Sequence, residues 1–511
     1  MFPTDTDFET QFTFETEANP VADNSPFQIL LLGDWSGGAA KPDLSLRRPI
    51  EIDRDNFEDV MNRLKVNVEL DLVNDKTNLT TLNFNEIEDF HPDKIFNSIS
   101  HFNDLRELRR RLLDKNSFEE AAREVRSLFN QTQANDFSEE VSHSVSNVSP
   151  VSDSKDLLDQ ILSQSNEKPS TFSPRTHSDE IQDLVEHTIK PFLVKTDENE
   201  QTKLLNAIDQ STSGLMRKIL NHTDFQTLES AWLGLHFLVR QVETSTDLKI
   251  YIFDVAKHEI AHNLQSVSSL TDSFLFQTLF SASQDDLNSS PWSLLAGNYS
   301  FDCNIDDIAL LMRLTKLSAL AETPFISYIR SETLGFSSST EFIDNDIKNL
   351  SLDTNAQKLW TTIRSLPESE YLGLATPRYL ARLPYGFDTV PIDSFNFEEF
   401  DLRTSSCNYL WSNPCFISVI LIAQTFNKYG WNMENISFKE LDGFPVHIYE
   451  DNGETKTQPS VEVLLTSNEY ERLLDFGVIP LFSYINSDKI RVLRFQSIAS
   501  PLKPLRGKWN L

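Results

Sequence analysis

Two histidines and a glutamate in the segment HEIAH, at residues 258–262, have the types and spacing that most directly suggest catalysis. On a helix, residues four positions apart lie on the same face, so His258 and His262 could together bind Zn²⁺. Glu259 between them could act as the general base for a metal-bound water. The motif therefore raises the hypothesis of a zinc hydrolase.

The sequence after this motif supplies no third zinc ligand in a recognisable pattern. One class of zinc proteases would need a glycine at position 265 and a histidine at position 268, where this chain has Gln265 and Ser268. Asp272, Asp285 and Asp286 follow, but none of them lies in a recognisable partner motif. We therefore expect a polar helix face without a metal here, and the zinc hydrolase stays as an alternative.

A glycine-rich turn at residues 33–38 is the second place where a ligand could bind. It follows FQILLL at residues 27–32, a continuous apolar run that predicts a strand buried on both faces. The turn lacks the glycine spacing of phosphate-binding loops, and Asp34 would repel a phosphate. We expect a tight turn at the end of a strand and no cofactor.

The elements that would position these residues alternate between helical and strand patterns. Residues 248–255, LKIYIFDV, are rich in β-branched and aromatic residues and predict a buried strand just before the histidine motif. Leu228, Trp232 and Leu235 follow the spacing of one helix face. The alternation continues to about residue 495, which predicts a mixed α/β fold of layered sheets flanked by helices.

The composition predicts a folded, acidic protein and argues against several classes of function. The chain has 511 residues, enough for two or three domains, and 39% of them are hydrophobic. A net charge of -32 argues against broad electrostatic binding to nucleic acids or anionic membranes and suits partners with basic patches. The scattered cysteines, the acidic start and the short apolar runs predict no disulfide framework, signal peptide or membrane span, so we expect a cytoplasmic protein.

A stretch rich in Ser, Asn and Pro at residues 131–180 predicts a linker or a mobile surface segment. Within it, residues 156–162, DLLDQIL, have a short amphipathic helical pattern. The apolar residues of this pattern are Leu157, Leu158, Ile161 and Leu162. They either fold back on their own domain or form an exposed docking helix for a partner.

Three segments near the start occur together in a characteristic order. They are FQILLLGDWSGG at 27–38, RRPIEIDRDNFEDVMNRLKVNVEL at 47–70 and LNFNEIEDFHPDKIFNSISHFNDLRELRRRL at 82–112. Residues 27–113 thereby resemble the small subunit, TssB or VipA, of the contractile sheath of type VI secretion systems. The positions that fall on the motifs of that family are Arg47, Arg48, Asp53, Asp89, Phe90 and Pro92.

A second series of segments runs from residue 222 to residue 498. It includes HTDFQTLESAWLGLHFLV at 222–239, SPWSLLAGNYSFD at 290–302, YLGLATPRYLARLPYG at 371–386, FNFEEF at 395–400 and LLDFGVIPLFSYINSDKIRVLRFQSI at 473–498. These segments resemble the large sheath subunit, TssC or VipB, although Leu233 stands where that family tends to have arginine. DLLDQIL at 156–162 resembles the helix near the start of the large subunit.

The double resemblance implies a fused sheath protomer that is not an enzyme. The implied regions are 1–113 for the small-subunit part, 114–180 for the linker and 181–511 for the large-subunit part. Such protomers polymerise around an inner tube, attach to a baseplate and contract to drive the tube outward. A ClpV-type AAA+ ATPase would then recognise the helix carrying Leu157, Leu158, Ile161 and Leu162 to disassemble the contracted sheath.

Two departures from the family pattern bear on assembly. The two subunits are fused, and the segment that usually follows in the large subunit is not found before Leu511, which leaves a sheath-like cap or baseplate adaptor as an alternative. In the family, neighbouring protomers exchange strands. Phe8, Phe12 and Phe14 would share one face of an extended segment, so this segment could donate such a strand.

Overall fold

The computed structural model describes residues 25–72, 79–127, 200–281, 292–334, 352, 354–400, 409–433, 436–451 and 453–509. Its strands are β1 (Phe27–Gly33), β2 (Ile50–Glu51), β3 (Asn67–Leu70), β4 (Thr80–Asn83), β5 (Leu248–Asp254), β6 (Leu294–Phe301), β7 (Phe325–Ile329), β8 (Leu372–Thr376), β9 (Tyr379–Leu380), β10 (Trp411–Ser412), β11 (Glu440–Leu441), β12 (His447–Asp451), β13 (Glu454–Gln458), β14 (Ile479–Pro480), β15 (Phe482–Ser483) and β16 (Ile490–Arg491). Its longer helices are α1 (Phe57–Leu64), α2 (Pro92–Ser98), α3 (Ser100–Leu113), α4 (Glu200–Leu220), α5 (Thr223–Gln241), α6 (Lys257–Gln265), α7 (Ile305–Leu320), α8 (Thr354–Arg364), α9 (Cys415–Tyr429) and α10 (Ser467–Phe476).

A seven-stranded sheet forms the centre of the molecule, with the strand order β14-β8-β7-β6-β1-β5-β2. The apolar run at the start of the chain is β1, and it pairs in parallel with β5 from Phe27 opposite Leu248 to Gly33 opposite Asp254. On its other side, β1 pairs in parallel with β6. A strand from the first 33 residues therefore lies between two strands that come after residue 247.

The two faces of this sheet are covered by helices, which confirms the predicted layered α/β fold. Alternate side chains of β1 enter different apolar clusters, Ile29 and Leu31 on one face and Leu30 and Leu32 on the other. Helices α1, α3, α4, α5 and α9 contribute to the first cluster, and α6, α7, α8 and α10 to the second. From Ile29 to Leu32, β1 is apolar and buried on both faces because each face is covered by a cluster.

Helix α9 is the most apolar of the described helices of eight residues or more, and it is buried in the first cluster. No helix in the described part of the chain is both long and apolar enough to cross a membrane. The apolar character of α9 follows from its central position, since a helix that is apolar on all sides is suited to the interior of a large protein.

A helix over residues 118–127 continues the folded structure beyond α3. Ala121, Ala122 and Val125 on this helix are buried in the first cluster, and α3 packs beside α4. Folded structure therefore extends into residues that the sequence analysis placed in the linker. Small two-stranded and three-stranded sheets complete the fold, among them the hairpin of β12 and β13.

Candidate functional site

The glycine turn, Arg47 and the HEIAH motif converge at the carboxyl ends of β1 and β5. The turn follows β1 directly, and HEIAH lies in α6, which begins three residues after β5 ends. Parallel α/β sheets bind ligands at this edge, outside the carboxyl ends of their strands. The chemistry of the side chains here therefore decides between a catalytic and a structural interpretation.

The turn after β1 binds a carboxylate of its own chain. Asp254 Oδ1 accepts hydrogen bonds from the backbone N–H groups of Trp35, at 2.8 Å, and Ser36, at 3.2 Å. Asp254 Oδ2 accepts a third from Ser36 Oγ at 2.7 Å. Asp254 is buried, so these donors are occupied where a phosphate loop would hold its ligand. The hydrogen bonds of the turn to Asp254 thus join the end of β1 to the end of β5.

Arg47 supports the same junction from the first segment, by which we mean the described residues 25–72 and 79–127. It is 8% exposed, and its guanidinium donates to both oxygens of Glu259, at 2.9 and 2.6 Å, and to the carbonyl oxygen of Asp254 at 2.9 Å. This is the bidentate arginine–carboxylate geometry that gives strong and directional pairing. The glutamate of the HEIAH motif is therefore one half of a partly buried ion pair.

The acidity of Glu259 does not suit a general base. Burial acts to raise the pKa of its carboxyl, but hydrogen bonds from Arg47 and the Ala256 N–H, together with the Arg47 charge, hold the pKa at about 2. Such a carboxylate binds protons weakly at neutral pH. His258 and His262 are exposed, and the acidic group in the described ranges that could share a metal ion is Glu58, Glu86 and Glu88, away from this motif.

Aromatic residues join the first segment to α5. Trp232 Nε1 donates to the carbonyl oxygen of Trp35 at 2.9 Å, and the Phe57 ring meets the Trp232 ring edge-on at 5.5 Å. Phe84 and Phe90 stack with their centroids 4.1 Å apart, and both rings meet Phe225 edge-on. Helix α5, which carries most of the segment HTDFQTLESAW, is therefore one of the surfaces on which the first segment packs.

A second contact joins α2 to the loop at residues 384–400. The Asp93 carboxylate accepts hydrogen bonds from the backbone N–H groups of Asp393, at 3.1 Å, and Ser394, at 2.8 Å. The Phe96 ring stacks on Phe395 with the centroids 4.7 Å apart. The loop is thereby held by the first segment as well as by its own region.

A buried charge network lies behind this loop. Arg382 donates to Glu229 Oε1 on α5 at 2.6 Å and to Glu399 Oε2 at 2.8 Å, and it lies 4.2 Å above the centroid of the Tyr385 ring. Burial raises the pKa of Glu229, against the opposing charge of Arg382. Removal of one member would leave an unpaired buried charge, so the network fixes the loop in one position.

The remaining family-motif positions act on local folding. Arg48 is exposed and donates to the carbonyl oxygens of Ser45 and Arg47. Asp53 accepts from the N–H groups that precede α1, Asp89 caps the short helical turn before α2, and Pro92 is the first residue of α2. Sequence reasoning missed Asp254, whose signal was a carboxylate near the end of a predicted buried strand.

Two groups of predicted partner residues lie outside the described residues. They are Phe8, Phe12 and Phe14, and Leu157, Leu158, Ile161 and Leu162. Strand donation and ATPase recognition therefore remain predictions from the sequence.

Comparison with known proteins identifies the two segments independently. Residues 202–499 match the family model described as "EvpB/VC_A0108, tail sheath N-terminal domain". Residues 9–167 match the model described as "Type VI secretion system, VipA, VC_A0107 or Hcp2". The chain is also similar to the type VI secretion system sheath protein TssC1 of Pseudomonas aeruginosa, with 31% identity over 329 residues. That match covers 63% of this chain and 66% of the relative, slightly under two thirds of its length.

Proposed function

Because the chain belongs to the type VI secretion sheath family, with a VipA-like part and a VipB-like part in one polypeptide, we propose that it is a sheath protomer. One observation carries the proposal: β1, from the VipA-like part, is an interior strand of a sheet whose neighbouring strands come from the VipB-like part. The two parts therefore fold as one body. The protomer would assemble into a tube around an inner tube and contract to drive the inner tube outward.

The carboxyl edge of the central sheet, where the polar groups bind one another, supports a mechanical role. The polar groups that could bind a ligand at this edge bind each other instead. Asp254 accepts hydrogen bonds from the turn, and Arg47 pairs with Glu259. A protomer that transmits force needs its parts to stay together while contacts with neighbours change. The ion pairs and aromatic contacts between the VipA-like part and the VipB-like part supply that cohesion.

The proposed partners follow from this role. They are other sheath subunits, the inner tube protein, the baseplate and a ClpV-type AAA+ ATPase, all in the cytoplasm. The net charge of -32 favours partner surfaces that carry basic residues.

Electron microscopy of the protein co-expressed with the inner tube protein tests the proposal. We expect tubes in which the amount of this protein rises in proportion to tube length. A protein that stays monomeric in every mixture, or that is present in a fixed low copy number whatever the tube length, would contradict the proposal.

ATPase recognition is tested separately from assembly. We predict that Leu157→Asp, Leu158→Asp and Ile161→Asp together abolish binding of a ClpV-type ATPase to assembled sheath, because three charges would replace the apolar face of the docking helix. Pull-down of the ATPase with purified sheath measures this. The matched control is Asp156→Ala with Asp159→Ala, on the polar positions of the same segment, and binding should persist. Full binding to the triple variant would refute the assignment.

A further inference from the structure

A groove of about 960 Å³ lies between α4, the loop at residues 384–400 and the hairpin of β12 and β13. Its size is at the upper end of the range for ligand pockets. The groove lies apart from the carboxyl edge of the central sheet and belongs to the folded protomer itself. Its existence therefore does not depend on the proposed assembly.

The groove combines exposed carboxylates with aromatic rings. Asp388, Glu398 and Glu450 line it, and each of them is exposed. Among the described residues, no lysine, arginine or histidine is within ion-pair distance of these three carboxylates. Phe400 and Tyr449 also line the groove, and their rings lie 4.8 Å apart. Arg217 also lines the groove, where its Nε donates to the carbonyl oxygen of Glu398 at 2.9 Å, but the lining carboxylates outnumber it. The surface is therefore acidic and partly aromatic.

Two large apolar side chains at this groove meet solvent. Ile448, in the lining, is 63% exposed, and Phe387, beside the lining residue Asp388, is 81% exposed. Single exposed apolar residues are common, but two at one groove indicate an interaction surface. The backbone N–H of Phe387 donates to Glu398 Oε1 at 3.0 Å, which ties this exposed residue to one of the carboxylates.

We propose that this groove binds a short arginine-containing peptide segment of a partner protein. Arginine pairs with carboxylates through its planar fork and stacks on aromatic rings, and both kinds of group line the groove. The protein uses the same combination beside the groove, where Arg382 lies over the Tyr385 ring and pairs with Glu399. Apolar residues next to the arginines would cover Phe387 and Ile448.

Charge and packing indicate a partner other than a second copy of this chain. The chain carries 77 acidic and 45 basic residues, so an acidic groove favours a partner segment richer in basic residues than this chain is. The basic residues at 503–508 are already engaged with the folded protein, because Lys503 pairs with Glu370 and Leu505 between them is buried. The acidic lining also disfavours nucleic acids.

Fluorescence anisotropy with the unassembled full-length protein tests the proposal. The probes are fluorescein-labelled peptides of alternating arginine and leucine, with lysine–leucine and glutamate–leucine peptides of equal length. We expect the arginine peptide to bind at least tenfold more tightly than the lysine peptide, and the glutamate peptide not to bind. Equal binding of the arginine and lysine peptides, or binding of the glutamate peptide, would overturn the proposal.

Charge-neutral variants locate the binding site. Asp388→Asn with Glu450→Gln should weaken binding of the arginine peptide at least tenfold, and Phe387→Ser should weaken it further. The matched control, Asp55→Asn with Glu471→Gln, removes two exposed carboxylates elsewhere and should leave binding unchanged. Circular dichroism checks that all variants are folded. Equal loss in both pairs would show non-specific attraction and overturn the assignment.

Discussion

Neighbouring arginines at positions 47 and 48 show how one motif holds residues with different roles. Arg47 is buried and pairs with Glu259, whereas Arg48 is exposed and contacts nearby backbone carbonyls. We predict that Arg47→Met lowers the free energy of unfolding by about 2 kcal/mol, because it leaves the partly buried Glu259 carboxylate without its partner. Urea unfolding followed by circular dichroism measures the change. Arg48→Met is the matched control and should stay within about 0.5 kcal/mol of the parent protein.

The ion pair between Arg47 and Glu259 also predicts a dependence of stability on pH. The pKa of Glu259 is about 2 in the folded protein, below its ordinary value of 4.5. A lowered folded-state pKa stabilises the protein above the unfolded-state pKa, and this contribution is lost as pH falls from 4.5 towards 2. The difference in unfolding free energy between the parent protein and Arg47→Met should therefore shrink over this interval. Urea unfolding at several pH values measures it, and a constant difference would contradict the assigned role of the pair.

At the scale of elements, local patterns predicted individual strands and helices better than their partners. The run FQILLL forms most of β1, LKIYIFDV contains β5, and the stripe of Leu228, Trp232 and Leu235 lies on α5. Periodicity reports which faces of an element are buried, so it was sufficient to predict these elements. It carries no information on the insertion of β1 between β5 and β6, because those pairings join residues more than two hundred positions apart.

The same limit explains the candidate site. The pattern HEIAH suggested zinc because the spacing of its histidines is visible in the sequence. The partner of Glu259 is Arg47, 212 positions earlier, and the partner of the glycine turn is Asp254, 218 positions after Ser36. Only the family resemblance indicated that the two parts fold together, since it related both of them to one assembly.

The interior position of β1 predicts that the two parts stay together without a covalent link. A protease site inserted after Ser144 would separate β1 from β5 and β6 in the chain but not in the fold. We predict that the two fragments elute together on gel filtration after cleavage, because their separation would expose both faces of β1. They should separate only in urea concentrations that unfold the protein. Separation under native conditions would mean that the contacts between the two parts do not hold the protomer together.

At the scale of the whole molecule, assembly requires contacts beyond the folded protomer. The described structure begins at Ser25, whose carbonyl oxygen accepts a hydrogen bond from Trp431 Nε1 at 2.7 Å. Residues 1–24 precede this anchor and include Phe8, Phe12 and Phe14, which would share one face if the segment is extended. We propose that this segment adds a strand to a neighbouring protomer, with the phenylalanines as its buried face.

This proposal predicts that folding and assembly respond differently to changes in the first residues. Phe12→Asp with Phe14→Asp should leave the melting temperature unchanged and abolish tubes in electron micrographs, because two charges would enter the buried face of the donated strand. Gln11→Asp with Thr13→Asp adds the same charges to the opposite face, which a strand at the surface of a sheet turns to solvent, so tubes should still form. Tubes from both double variants, or from neither, would contradict strand donation by this segment, since only a strand distinguishes alternate residues.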